Sequence, residues 1–293
     1  MRSRILARIA GRRKCLDMNI EAIAPNLTLA ADGIWYSSEQ EAVSYPAEGN
    51  DDCFAVEDRS FWFRHRNRCI ASVVASFPPP GVIFDVGGGN GFVSMGLRQA
   101  GFDVALVEPG PTGARNAKRR GLETVICATT DTAGVKQGSV PAIGLFDVVE
   151  HIADADEFLK SIRSLLVSGG MVYATVPAFD FLWSREDVDA GHVRRYTLDR
   201  IRNALGRAGL EVLFASYIFR VLPLPIFLIR SLPYRLGIAK AKRSAAEIER
   251  HHVAPGAFVA RSISAIFDPE VRNLEARKPM RFGGSCLVVA QAP

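Results

Sequence analysis

No two of the five cysteines stand in a C-x-x-C pair, and their number is odd. That excludes a disulfide framework and a clustered thiolate zinc site, and it fits a reducing cytoplasm. Long apolar runs are also missing. The longest uncharged stretch of the apolar segment 218–237 is Val221 to Ile229, about 14 Å as a helix against a bilayer core of about 30 Å. Acid is in slight deficit: 36 Lys and Arg face 31 Asp and Glu, a net charge of +5. An excess this mild suits an anionic membrane surface, nucleic acid or an acidic substrate without choosing among them. No internal repeat is apparent. The first 14 residues carry six Arg or Lys but no long apolar region or cleavage site, so they do not read as a secretory signal. They read as a basic membrane-surface arm or as the product of an upstream start, with Met18 as the alternative.

What is present is an ordinary globular composition, 48% hydrophobic and 23% charged, which supports a sizeable core. From residue 81 to about 217, short apolar runs alternate with amphipathic stretches. Runs 81–86, 103–108, 123–127, 143–148 and 171–176 read as strands buried on both faces. Stretches 92–100, 113–120, 154–167 and 197–208 read as helices, the third ended by Gly169-Gly170. Regular alternation implies an α/β fold with a doubly wound, mostly parallel sheet. The chain divides into an N-terminal extension (1–57), a core (58–217 and 281–293) and a helical, apolar insertion (218–280).

The most informative stretch is 83–92, IFDVGGGNGF. An apolar strand ends in Asp85, a turn with Gly87, Gly89 and Gly91 follows, and a helix begins. Glycines admit positive φ and let a ligand approach the main chain, while the helix start offers unpaired N–H groups. Dinucleotide-binding proteins use a similar turn. Their third fingerprint glycine would fall on Phe92, which is not glycine. Glu108 ends the next strand, where its two oxygens match the adjacent hydroxyls of a ribose.

This stretch resembles the first motif of class I S-adenosylmethionine-dependent methyltransferases, and Glu108 matches their second-strand acid. Residues 145–152 (LFDVVEHI) and 165–177 (LLVSGGMVYATVP) look like the fourth and fifth strands of ubiquinone-biosynthesis-type methyltransferases. Segments 61–68, 191–197 and 282–290 are similar to the same branch. The resemblance implies a seven-stranded sheet with the last strand, 285–291, antiparallel, preceded by an N-terminal helical segment. It implies S-adenosyl-L-methionine as cofactor, with Asp85 and the glycine turn on its methionine moiety and Glu108 on its ribose. Asp131 would lie beside the adenine, and Asp147 belongs to the same cofactor set.

His151 and His192 are the candidate catalytic residues, since imidazole titrates near neutrality and can take a proton from an acceptor. In some ubiquinone-pathway and small-RNA methyltransferases a similar acid-x-x-Glu-His array binds a divalent metal. Here Asp147 stands where those enzymes usually carry Glu. No metal is favoured; Asp147, Glu150 and His151 are its candidate ligands, and a capping role for Glu150 and His151 stands against it. Trp183, Arg194, Arg195 and Tyr196 are candidates for acceptor binding, because arginines with a tyrosine grip carboxylate or phosphate. The same arginines could instead tie the loop to Asp187 and Asp189. The expected activity is methyl transfer to oxygen of a small or lipid-linked acceptor. The rival readings are a nicotinamide-dependent oxidoreductase and a non-catalytic binding protein; RNA binding is disfavoured because no nucleic-acid module is visible. Segment 218–237 is too short to span a membrane. It could lie on an anionic inner leaflet, leaving the protein cytoplasmic or peripheral, or cover the pocket or a dimer partner.

Overall fold

The computed structural model describes residues 19–39, 47–238 and 257–293; the basic arm 1–14 and Met18 lie outside them. Among the described residues nine strands form one sheet: β1 (Leu27–Leu29), β2 (Trp35–Ser37), β3 (Ile83–Val86), β4 (Val104–Val107), β5 (Thr124–Cys127), β6 (Val140–Phe146), β7 (Leu166–Pro177), β8 (Glu211–Ile218) and β9 (Ser285–Gln291). Their order is β1-β2-β5-β4-β3-β6-β7-β9-β8. Strands β2 to β7 pair parallel, and β9 enters antiparallel between β7 and β8.

The expected seven strands are all there, and two more extend the sheet. The β1–β2 hairpin adds to the β5 edge, so the N-terminal extension is part strand, not only helix. Its strands are three residues each, Leu27–Leu29 and Trp35–Ser37, too short to show an apolar period. A second difference lies at Gly169-Gly170. The helix ends earlier, at Leu165, and the glycines sit inside β7. Gly169 takes φ +74°, and the β6–β7 register slips there, as a bulge requires.

The main helices are α1 (Ala47–Glu57), α2 (Phe61–Ser76), α3 (Phe92–Gln99), α4 (Pro111–Arg119), α5 (Ala155–Leu165), α6 (Leu198–Arg207) and α7 (Ala257–Glu275). Several begin on side-chain caps: Ser60 for α2, Asp154 for α5 and Thr197 for α6 each accept an N–H from the first turn, worth about 1 kcal/mol apiece. On one face of the sheet, α5 and α6 bury Leu159, Ile162, Ile201 and Leu205 against Phe84 and Val107. On the other, α2, α3 and α7 bury Ile70, Val73, Leu97 and Leu274 against Ile83 and Tyr173. Neighbouring strand residues thus feed opposite cores, as the two-residue period dictates.

Helix α7 is locked to α2 by a buried clamp. Glu270 pairs with His65 at 2.9 Å and accepts the N–H groups of Phe219 and Arg220. Between β8 and α7 lies a helical foot, Pro223–Ile226, the π turn Phe227–Ser231 and Leu232–Arg235.

Candidate active site

Strand β3 is buried along its whole length and delivers the chain to the glycine turn at the C-terminal rim of the sheet. Gly87, Gly89 and Gly91 all have positive φ. A Cβ on Gly88 would lie 2.3 Å from Leu106 Cδ1, and one on Gly91 would lie 2.6 Å from Leu122 Cδ1. The turn is therefore packed from below, and only glycine fits. Gly91 is the N-cap of α3 without a side-chain cap.

Asp85 is wholly buried under this turn and accepts the Ser94 hydroxyl at 2.5 Å. It braces the loop from beneath through Oδ2, while its buried Oδ1 has no hydrogen-bond partner among the described residues. Burial pushes its carboxyl up to about 6. Glu108 reaches the turn from β4: Oε2 accepts the Gly89 N–H at 2.8 Å and Oε1 that of Gly110 at 2.7 Å. Each carboxylate oxygen keeps a second lone pair for a donor on the ligand. Burial raises the Glu108 pKa despite the two N–H donors.

A second layer of side chains fixes the turn. Asn90 accepts from Asn116 at 3.1 Å, and its amide faces Glu57, which pairs with Arg120 at 2.7 Å. This network joins α1, the turn and α4 across long sequence gaps, and no local spacing announces it.

On the other side of the β3 end, Asp147 has φ +59°, accepts the Thr175 hydroxyl at 2.8 Å and pairs with Arg66 from α2. Arg66, from segment 61–68, thus joins the rim. Beyond Asp147, Glu150 is fully buried, and neither carboxylate oxygen finds a hydrogen-bond partner elsewhere among the described residues. Burial and the neighbouring Asp147 raise its pKa well above the usual carboxylate range.

His151 and His192 meet edge to face, ring centroids 4.8 Å apart. Ligand atoms of Glu150, His151 and His192 lie within 4.8 Å of one another. The trio that could hold a cation is therefore completed by His192, whereas Asp147 is not among these three. Burial first, then His192, lowers the His151 pKa.

The loop after β7 is built around Asp187. It accepts His192 Nδ1 at 2.8 Å, Arg195 Nε at 2.8 Å and Nη2 at 2.9 Å, and the Ser184 N–H at 2.8 Å. Burial alone would raise its pKa, but the His192 and Arg195 hydrogen bonds outweigh it and hold the carboxyl at about 2. Arg195 is turned inward, also donating to the Ala178 carbonyl. Arg194 donates to the carbonyls of Ile152 and Ala153. Tyr196 is buried, and Trp183 is half-buried. Among the acceptor-binding candidates, both arginines thus serve as loop braces, with Asp187 as the anchor of one. Asp131 sits exposed after β5, and no side-chain contact joins it to the glycine turn.

The sheet order from β5 to β8 runs through β4, β3, β6, β7 and the inserted antiparallel β9. The all-parallel dinucleotide sheet has no such insertion. With the Gly89–Glu108 pair at the β3–β4 rim, this is the class I methyltransferase architecture. The sequence matches the model of the methyltransferase domain family over residues 57–214, more than half of the chain. The chain belongs to the methyltransferase domain family, in the S-adenosylmethionine-dependent class.

Among curated relatives, a ubiquinone biosynthesis O-methyltransferase of Caulobacter sp. (strain K31) is 34% identical over 101 residues, 32% of this chain and 40% of that protein. One from Xanthomonas axonopodis pv. citri is 26% identical over 158 residues, 52% of this chain and 56% of that protein. The chain thus spans about half the length of such relatives, or less. Among solved structures, a SAM-dependent methyltransferase of Thermotoga maritima superposes with TM-score 0.51 at 16% identity, covering 84% of this chain and 95% of that one. Haemonchus contortus phosphoethanolamine N-methyltransferase 2 in complex with S-adenosyl-L-methionine gives 0.51 at 16% identity, over 86% and 58%. These likenesses establish the fold.

Proposed function

We propose that the protein transfers the methyl group of S-adenosyl-L-methionine to an oxygen of a small or lipid-linked acceptor. The observation that carries the cofactor half is the Glu108–Gly89 pair, a carboxylate held against a backbone turn that no side chain could enter. When bound, the sulfonium supplies an activated methyl group. The protein's own task is to orient the acceptor behind it, which in favourable cases contributes roughly 7–11 kcal/mol. Glu108 and the turn bind and align, and Asp85 and Asn90 keep the turn rigid from below.

The acceptor half rests on His192 and His151. Asp187 holds Nδ1 of His192, which leaves Nε2 as the ring nitrogen available to take a hydroxyl proton. Asp187 carries the matching negative charge, stabilised by Arg195. Oxygen is the favoured acceptor atom because the curated relatives quoted above are O-methyltransferases. Turnover with candidate phenolic acceptors, followed by mass increase of one methylene, tests the reading. Cofactor binding with no turnover across quinone-type and glycan hydroxyls would favour the non-catalytic alternative instead.

The partnerless Glu150 carboxylate favours a second reading of the same site, in which Glu150, His151 and His192 hold a divalent cation. A buried carboxylate without a partner is costly and gains from a metal. Thermal melting with Mn2+ or Zn2+ tests it: a rise that Glu150→Gln removes supports the cation, and no rise with either ion rejects it.

A further inference from the structure

We infer that the helical foot of residues 223–238 is a docking surface for an anionic lipid bilayer, and that docking steadies the loop carrying His192. The inference rests on the methyl-transfer reading of that loop and names the surface on which the enzyme works.

The foot exposes aliphatic side chains where a folded protein normally hides them. Leu224, Leu228, Ile229, Leu236 and Ile238 are between 51% and 69% exposed. Single exposed leucines need no explanation, but five in fifteen consecutive residues make a patch that calls for a partner. No helix among the described residues is long and apolar enough to cross a membrane. An interfacial position remains, aliphatic side chains among the acyl chains and cations at the headgroups.

Charge selects the occupant. From residue 212 to 246 the sequence has Arg220, Arg230, Arg235, Lys240, Lys242 and Arg243 and no Asp or Glu. A second copy on this face would set Arg220, Arg230 and Arg235 against the same cations, whereas anionic headgroups neutralise them. Beside the foot opens a cavity of about 310 Å3, lined by Val221, Ile266, Pro269 and Phe282 with Arg220 and Glu270. A line of rings runs from that cavity to the foot: Phe282 to Phe179 at 5.2 Å, Phe179 to Phe181 at 5.3 Å, Phe181 to Phe227 at 6.1 Å. The apolar face is therefore continuous with the end of β7.

The foot is also bolted to the histidine loop. Ser231 donates to the Leu182 carbonyl at 2.8 Å, Arg235 to the Phe181 carbonyl at 3.0 Å, and Arg230 lies 3.5 Å from Glu186. The next residue is Asp187, which holds His192. Ordering the foot on a surface orders the segment that positions the base.

Co-sedimentation of the full chain with phosphatidylglycerol or phosphatidylcholine vesicles tests docking. Binding to the anionic vesicles alone is expected, weakened by salt. Leu228→Asp and, separately, Leu236→Asp should lower it roughly tenfold or more, while Leu29→Asp, equally exposed on β1, leaves it unchanged. Unaltered melting temperatures certify the fold of each variant. Backbone hydrogen exchange over 180–193 should slow on the anionic vesicles. No anionic binding, equal binding to both vesicles, insensitivity to both Asp variants, or a foot-dependent dimer in place of vesicle binding would each overturn the docking; unchanged exchange would overturn the coupling. S-adenosylhomocysteine titration, run without lipid, separates failure of the cofactor reading from failure of this one.

Discussion

Glu108 accepts the backbone N–H of Gly89 at 2.8 Å, so the acid that ends β4 and the middle of the glycine turn form one unit before any ligand arrives. The carboxylate also takes Gly110 N–H, and it is buried. Removing it strands the buried Gly110 N–H, at about 1–3 kcal/mol, and frees the part-buried Gly89 N–H. Glu108→Ala should therefore lower the melting temperature and weaken nucleoside binding together. Differential scanning calorimetry with and without S-adenosylhomocysteine measures both.

The turn tolerates no side chain. Gly88→Ala puts a methyl 2.3 Å from Leu106 Cδ1, and Gly91→Ala adds a contact at 2.6 Å to a φ of +73°. Overpacking of this kind costs about 1–3 kcal/mol, and left-handed backbone about 1–2 more for Gly91→Ala. Urea unfolding should show Gly91→Ala losing the larger share of stability.

Asp187 makes stability depend on pH at the acid end. Its folded pKa of about 2 lies below the ordinary 3.8. The folded state thus binds fewer protons, and the stabilisation is complete above the unfolded value and lost as pH falls through the folded one. The amount is about 2 kcal/mol. Urea unfolding at pH 6 and pH 3 should show the gap between wild type and Asp187→Asn narrowing as the solution becomes acid.

On the proposed reading, in which His192 faces the acceptor, His192→Ala should reduce kcat by roughly 10²–10⁴ and leave cofactor affinity intact. His151 stays neutral to lower pH than free imidazole, since burial and His192 lower its pKa. If His151 is the base, the acid limb of kcat/KM falls below the ordinary 6.5; a limb near 6.5 assigns the proton to another group. A pH–rate profile for each alanine variant decides between the rings.

Much of this architecture is legible from sequence because its cause is local. Strands buried on both faces, such as β3 and β4, write themselves as short apolar runs ended by an acid, and the glycine turn follows from backbone geometry alone. The hairpin β1–β2 is not legible, since three residues per strand are too few to carry a period. Gly169-Gly170 misleads because two glycines serve a helix end and a strand bulge equally well. The Glu108–Gly89 contact could be foreseen, both residues being pinned to adjacent strand ends. Arg66 on Asp147 and Glu57 on Arg120 could not, because 81 and 63 residues separate the partners. Asp187 is foreseen, with Asp189, as a tie for the loop arginines, and Arg195 takes it. Its role comes from the loop closing on itself to bring Ser184, His192 and Arg195 to a single carboxylate.

The central claim is that the turn and Glu108 make a site for a sulfonium nucleoside, and isothermal titration of the full chain with S-adenosylhomocysteine tests it most directly. Saturable one-to-one binding is predicted, reduced at least about tenfold by Glu108→Ala, which is about 1.4 kcal/mol. No heat with wild type at ligand concentrations that saturate other class members, or equal affinity in the variant, would contradict the account.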